Sequence, residues 1–160
     1  MASNVPTVRQ VSWISVIPQI AFMLILIFIY HKLNLKDPAL YGAISYLALS
    51  MTLRNLVPKS HREGLKLTKE HKFENAIPKF ENSYKFFTEN NWIDKYRFIT
   101  LMSSSKMCYR EMALCNIAFC YSQIGNGQKS IEYYKKTLAE FPENGLAQTG
   151  LKMLTSTENK

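Results

Sequence analysis

The first third of the chain carries a long apolar run without charged side chains. Residues 10–31 contain no Lys, Arg, Asp or Glu, and Trp13 and Tyr30 stand at the two ends of the most apolar stretch. A helix over residues 11–31 is about 31 Å long at roughly 1.5 Å per residue, which matches a hydrocarbon core of ~30 Å. Aromatic residues are typical of the two membrane interfaces. The pattern therefore predicts a membrane-spanning helix over residues 11–31.

The alternative for this run is a cleaved signal peptide. A signal peptide has a shorter apolar region, a clearly basic head and a cleavage site of small residues soon after it. Here the sequence HKLNLKD follows the apolar run instead. The sequence thus favours a retained anchor over a leader that is removed.

A second uncharged run begins at Asp37 and Pro38, a pair that is typical of a helix start. It extends over residues 38–57 if Arg54 reaches the headgroups along its aliphatic stem, and this length is just sufficient to span. Small residues at Ala39, Gly42 and Ala43 predict a close approach to the first helix. We expect a transmembrane helical hairpin in residues 1–57; a re-entrant or surface-lying second helix is the alternative.

Basic residues indicate the orientation of this hairpin. Arg9 precedes the first run and four basic residues follow the second, whereas the connection has Lys32 and Lys36 beside Asp37. Basic residues are enriched on the cytoplasmic side of membrane proteins. We therefore expect an integral protein of the plasma or inner membrane, with both termini and the C-terminal domain in the cytoplasm.

Residues 58–155 change to a charged, amphipathic pattern that predicts helices throughout. Ser60 and Glu63, three residues apart after Pro58, match a capping box that opens the first of them. The fold class expected for the whole chain is therefore all-α, with an N-terminal transmembrane hairpin followed by a helical domain.

A 34-residue pattern over residues 111–144 resembles the tetratricopeptide repeat (TPR), in which two antiparallel helices interlock. Small Ala118 and Ser130 are twelve residues apart, at the places where the two helices of such a repeat cross most closely. A Gly125-Asn126-Gly127 turn separates the helices. The other matching positions are Leu114, Ile117, Tyr121, Tyr134, Thr137 and Pro142.

A more divergent copy of the pattern is found over residues 57–90, with Gly64, Leu67, Ala76, Phe80 and Ser83 at the corresponding offsets. The resemblance predicts two TPR-like repeats, over residues 57–90 and 111–144. Between them the spacing of Trp92, Tyr96 and Ile99 predicts an insert helix over residues 92–102. After them, residues 145–155 are predicted to form a capping helix.

The family resemblance implies a groove that binds peptides or helices of other proteins. Its positions are Met112, Cys115, Phe119, Ser122 and Gln123 in the second repeat, and His61, Leu65, Thr68 and Lys69 in the first. Such an apolar, sulfur-bearing surface suits a hydrophobic segment or an amphipathic helix. The alternative is that these residues pack on the insert helix.

The basic residues of the chain predict a second candidate surface. The chain carries +8, and 16 basic and 11 acidic residues fall after residue 57. Lys59, Arg62, Lys66 and Lys69, continued by Lys72, recur on one side of the first predicted soluble helix. We expect this stripe either to contact anionic lipid or to be a solvated helix face.

The sequence contains no motif of an enzyme, a cofactor site or a metal site. His31, His61 and His71 are scattered and are expected at the surface, and Cys108, Cys115 and Cys120 are expected to be small packing residues. No cofactor and no catalytic residue is therefore predicted.

These observations favour a non-enzymatic, membrane-anchored TPR scaffold or adaptor that binds another protein. The alternatives are a self-assembling structural subunit, hence a homo-oligomer, and a non-catalytic accessory subunit of a membrane complex. Nucleic acid is not expected as a partner, because the positive charge after residue 57 is modest and the aromatic residues fall at packing positions.

Overall fold

The computed structural model describes residues 11–158, and this part of the chain is helical without a strand, which confirms the all-α class. One isolated antiparallel bridge joins Val11 to Ser105. A 3-10 turn over Trp13–Ser15 precedes the first helix. The α-helices are α1 (Val16–Lys32), α2 (Pro38–Leu56), α3 (Lys59–Lys69), α4 (Phe73–Glu89), α5 (Asn91–Lys95), α6 (Arg97–Thr100), α7 (Tyr109–Gln123), α8 (Gly127–Glu140) and α9 (Gly145–Glu158).

The described chain divides into two compact units. Residues 11–57 and 92–106 form the N-terminal unit, and residues 58–91 and 107–158 form the C-terminal unit. The insert thus belongs to the same unit as the two N-terminal helices, although we expected it within the domain of residues 58–155. The sequence order hides this grouping, because the insert follows α4 along the chain.

In the N-terminal unit, α1 and α2 pack side by side along their length. Gly42 is buried at their contact, and a Cβ atom there would lie 2.6 Å from Cγ1 of Ile27. Only a residue without a side chain permits this separation, as the small-residue pattern predicted. The hydroxyl groups of Tyr30 and Ser45 add a hydrogen bond of 2.8 Å between the helices.

One segment in residues 11–158, Trp13–Lys32, is long and apolar enough to cross a membrane. Very little of it is buried within the protein. Helix α2 does not satisfy the same condition of length and composition. The second predicted span therefore stays a prediction.

Within the N-terminal unit, the insert (residues 92–106) packs against the end of the helix pair where α1 begins and α2 ends. Gln19 in the first turn of α1 donates from Nε2 to the Met102 carbonyl at 3.1 Å, and the guanidinium of Arg54 donates to the same oxygen. The amide of Ser12 donates to the Ser104 carbonyl at 2.9 Å. Met102 has a φ of 49°, a conformation that costs energy for a residue with a side chain, and the two donors on its carbonyl offset that cost.

Instead of the single insert helix predicted over residues 92–102, the structure has two short helices, α5 and α6, with Tyr96 between them. Arg97 holds the end of this segment. Its Nε donates to the carbonyl of Ser105 at 3.1 Å, and a terminal nitrogen donates to that of Lys106 at 2.6 Å. A guanidinium that donates to several carbonyls fixes a loop that has little regular hydrogen bonding of its own.

The C-terminal unit contains two pairs of helices, α3 with α4 and α7 with α8, followed by α9. Each pair has one close crossing. A Cβ at Gly64 would lie 2.7 Å from the Phe80 ring, and the Ser130 hydroxyl donates to the Ala118 carbonyl at 2.8 Å. The predicted contact of Ala118 with Ser130 is therefore present, and both residues are fully buried.

In the C-terminal unit, the structure contains one of the predicted helix boundaries as expected and differs from the prediction at another. Gly125 has a φ of 78° and Asn126 caps α8 by accepting from the amide of Lys129, as the predicted turn requires. The capping box expected at Ser60 and Glu63 does not form, because Pro58 already stands at the N-cap and Ser60 lies inside α3. A capping box forms at α7 instead, where Glu111 accepts from the amide of Cys108.

Candidate interaction surfaces

Part of the predicted partner groove is covered by the last helix. Cys115 is buried in a cluster with Met107, Ala118, Tyr134 and Ala147. The partly buried side chains that pack on this cluster are Met112, Tyr133, Leu138, Leu151 and Leu154. Residues of α9 therefore occupy the surface at Met112 and Cys115, so these two positions pack within the unit, on α9, and neither line an open groove nor pack on the insert, which was the alternative.

The other predicted groove positions on α7 lie closer to solvent. Phe119 is half-buried and contacts the Phe73 ring edge to face, with 6.0 Å between centroids. Ser122 is half-buried and donates to the Phe119 carbonyl, and Gln123 is exposed. The accessible surface of the predicted groove on α7 is thus the C-terminal end of this helix.

On α3, two of the four predicted groove positions, Thr68 and His61, are buried. Thr68 is buried, donates to the Gly64 carbonyl at 2.9 Å, and lies 3.8 Å from the sulfur of Cys120. Leu65 is half-buried and packs on the cluster around Ala76 and Phe80. Lys69 is exposed and is the groove position on α3 that a partner can reach.

His61, the fourth position, is buried, which corrects our expectation of a surface histidine. Its side chain lies between the rings of Phe80 and Tyr109, at centroid distances of 5.4 and 5.3 Å. Nδ1 is 3.3 Å from the Ser83 hydroxyl. Burial lowers the pKa of His61 from 6.5 to about 4, because the apolar surroundings disfavour the charged ring. The sequence signal was the spacing of His61, Gly64 and Thr68, which places all three on one side of α3.

Burial also decides the chemistry of two thiols. The pKa of Cys115 is raised to about 12 and that of Cys120 to about 11, in both cases mainly by desolvation. A thiol with so high a pKa is protonated at neutral pH and is a poor nucleophile and metal ligand. The predicted role of these cysteines in packing agrees with their positions in the two core clusters.

The basic stripe is solvent-exposed along its whole length: Lys59, Arg62, Lys66, Lys69 and Lys72. Acidic side chains border it. Glu63 pairs with Lys79 at 2.6 Å and Glu70 with Lys72 at 2.8 Å, and each lysine lowers the pKa of its carboxylate by hydrogen bonding and charge. Lys72 is thus engaged within the chain, and the exposed lysines of the stripe on α3 are Lys59, Lys66 and Lys69.

A cluster that the sequence did not reveal joins three helices of the C-terminal unit. Glu140 on α8 accepts from the hydroxyl of Tyr84 on α4 and pairs with Arg110 on α7. The ammonium of Lys136 lies 4.5 Å from the centre of the Tyr84 ring. Tyr84, Arg110 and Glu140 are far apart along the chain, so no local spacing could have brought these three together.

Within residues 11–158, no group of three or more His, Cys, Asp or Glu side chains is arranged to hold a metal ion. Comparison of the chain with protein-family models, curated proteins and solved structures found no match. Function is therefore argued from the surfaces themselves.

Proposed function

We propose that this protein is a membrane-anchored helical adaptor whose C-terminal unit binds another protein in the cytoplasm. The observation that carries the proposal is the exposure of α1 in a chain that also contains a second unit with its own core. The large apolar side chains of α1 that face outward are Ile17, Ile20, Leu24, Ile25, Phe28 and Ile29. Burying each would contribute on the order of 1.5–3 kcal/mol, so such a surface needs an apolar medium.

Helix α2 supports a two-span anchor through its contact with α1. The close approach at Gly42 and the hydrogen bond from Tyr30 to Ser45 are the kinds of contact that hold helices together in lipid. In this proposal the 33–37 connection lies on the non-cytoplasmic side of the membrane. We place the anchor in the plasma or inner membrane, and the distribution of basic residues favours the orientation with the C-terminal unit in the cytoplasm.

The resemblance of the C-terminal unit to TPR repeats supports binding to a protein. The two helix pairs and the crossing of Ala118 with Ser130 agree with that resemblance. The proposed contact surface includes Lys69 on α3 and Phe119, Ser122 and Gln123 at the end of α7. Such a half-apolar surface suits an amphipathic helix of the partner.

Anchoring is tested by alkaline carbonate washing of native membranes. The full chain is expected to stay in the pellet, whereas a variant with Ile20, Leu24 and Phe28 replaced by Lys is expected in the supernatant, because each central Lys costs about 2.5–3.5 kcal/mol. Release of the unaltered chain by the wash contradicts the anchor.

Partner binding is tested with a photo-crosslinking amino acid placed at Lys69 or Gln123 in the full chain in its native membrane. The matched control carries the same amino acid at Lys135, which is exposed on α8. We expect one discrete product from the first two positions and none from Lys135. A product of twice the chain's mass favours the self-assembling subunit, and equal products from all three positions contradict the proposed surface.

A further inference from the structure

The insert presents an apolar face that the rest of the described chain, residues 11–158, leaves uncovered. Trp92, Tyr96 and Ile99 have 61, 54 and 58% of their surfaces exposed. The amide of Tyr96 bonds the Trp92 carbonyl at 3.0 Å, and the amide of Ile99 bonds the Tyr96 carbonyl at 2.9 Å. Helical spacing of this kind places the three side chains on one face.

The opposite face of the insert is fixed to the protein. Leu101 and Met102 are buried, and Asp94 is 1% exposed. Arg97 donates to the carbonyls of Ser105 and Lys106. The exposed aromatic face therefore does not result from a loosely placed segment, because the residues behind it are packed and hydrogen-bonded.

The place where the insert is attached indicates what covers this face. Gln19 and Arg54 both donate hydrogen bonds to the Met102 carbonyl. Gln19 lies at the start of α1, and Arg54 lies in the last turn of α2. Helix α1 has 17 residues and is therefore roughly 25 Å long, so this end lies about that far from the 33–37 connection. The insert is thus at one end of the proposed spans, at the level where a membrane-spanning pair leaves the hydrocarbon.

The chemistry of the three side chains fits that level. Trp and Tyr are enriched at the membrane interface, because one part of each ring is apolar and another forms hydrogen bonds. Lys95, between Trp92 and Tyr96 in sequence, is exposed and places a positive charge beside the aromatic face. Trp13, 83% exposed just before α1, belongs to the same unit and the same end of the helices.

We infer that the face formed by Trp92, Tyr96 and Ile99 lies in the headgroup region of the bilayer and forms an interfacial part of the membrane anchor. The inference rests on the proposed membrane anchoring. The occupant of the face is lipid, and the insert adds to the anchor a contact that runs along the membrane surface rather than across it.

The two tryptophans of the chain, Trp13 and Trp92, allow a direct test. The full chain is reconstituted in phosphatidylcholine vesicles as Trp13→Phe, which leaves Trp92 as the fluorophore, and as Trp92→Phe, which leaves Trp13. A third variant, the control, lacks both tryptophans and carries Met153→Trp, on α9 of the C-terminal unit, where Met153 is 65% exposed and so matches Trp92. Each is quenched by lipids brominated at the upper acyl chain and by aqueous iodide.

Trp92 is expected to emit at shorter wavelength than the single tryptophan of the control variant, to be quenched by brominated lipid and to show a several-fold smaller iodide quenching constant. Trp13 quenched by lipid together with Trp92 quenched by iodide as strongly as the control overturns the inference while the anchor stands. Protection of Trp92 from both quenchers also overturns it, since protein then covers the face. Loss of lipid quenching at both Trp13 and Trp92 contradicts the anchor and the inference together.

Discussion

The side-chain amide of Asn144 donates to Oε1 of Glu111 at 2.8 Å, which joins the last residue of the predicted 34-residue repeat to its first. Glu111 also accepts from the amide of Cys108 at the start of α7. Asn144 accepts from the amide of Ala147 at 2.7 Å at the start of α9. One hydrogen bond thus connects the N-terminal caps of two helices.

Replacement of Asn144 by Ala is expected to lower the free energy of unfolding by about 2 kcal/mol, since it removes a cap and a buried partner of a carboxylate. Thermal unfolding of the detergent-solubilised full chain, followed by circular dichroism, measures the loss. Asn126→Ala is the matched control, because Asn126 caps α8 at its surface and should cost only about 1 kcal/mol. Equal losses in the two variants would show that the bond to Glu111 adds nothing.

A methyl group at Gly64 is expected to be destabilising by about 1–3 kcal/mol, because it would overlap the ring of Phe80 in a packed core. Gly127→Ala is the control, since a Cβ at Gly127 meets nothing within 4 Å and replacing Gly by Ala in a helix is neutral or favourable. The same unfolding measurement compares them. If Gly64→Ala unfolds at the temperature of the unaltered chain, the crossing of α3 and α4 is wider than described.

The stability of the C-terminal unit is expected to fall as the pH is lowered from about 6.5 to about 4. The pKa of buried His61 is depressed, so the unfolded chain binds a proton in this range that the folded chain does not bind. The stability is therefore complete above 6.5, and about 3 kcal/mol is lost by the lower limit. Urea unfolding across this range should show a slope that is clearly smaller in His61→Gln, where only the carboxylates contribute, and is retained in His71→Gln, a substitution of an exposed histidine.

Alkylation of the thiols tests whether α9 covers the predicted groove. Cys115 and Cys120 should stay unmodified in the folded chain at pH 8, because both are buried and protonated, and should react in denaturant. Truncation after Asn144 should expose Cys115 but not Cys120, which packs with α3 and α4. Mass spectrometry of the peptides gives both results, and rapid labelling of Cys115 in the full chain would mean that the groove is open there.

Acetylation of lysines tests the contact of the basic stripe with lipid. In nanodiscs with anionic lipid at low salt, Lys59, Lys66 and Lys69 should react several-fold more slowly than in neutral nanodiscs, since each basic residue near such a surface gains about 1 kcal/mol. High salt should remove the difference because it screens the attraction. Lys135, on α8, is the internal control, and equal rates for the stripe in both lipids would leave it a solvated helix face.

Local chemistry made much of the helical architecture predictable. Pro38 follows Asp37 at the start of α2, and the residues at 125–127 separate α7 from α8, because these residue types have strong backbone preferences. The contact of Ala118 with Ser130 was also predictable, since it lies within one helix pair. In each case the relevant partners are close in sequence.

Other features depend on contacts between residues that are far apart in the sequence, and these contacts could not be predicted. His61 is buried by Tyr109, which is 48 residues away, and Met102 accepts from Gln19, which is 83 residues away. Helical periodicity indicates that a residue faces inward, but it does not identify the element that covers it. For that reason the insert was assigned to the wrong unit, and Met112 and Cys115 were expected to line an open groove.

Because the N-terminal unit is built from two separate stretches of sequence, the chain crosses between the units three times within residues 11–158, at residues 57–58, 91–92 and 106–107. During synthesis α1 and α2 emerge first, whereas the residues that complete their unit are made only after α4. The α1–α2 pair therefore exists before its unit is complete, and α7, which packs on α4, is synthesised only after the insert. A single cleavage within the insert would therefore divide the residues of both units between two polypeptide fragments.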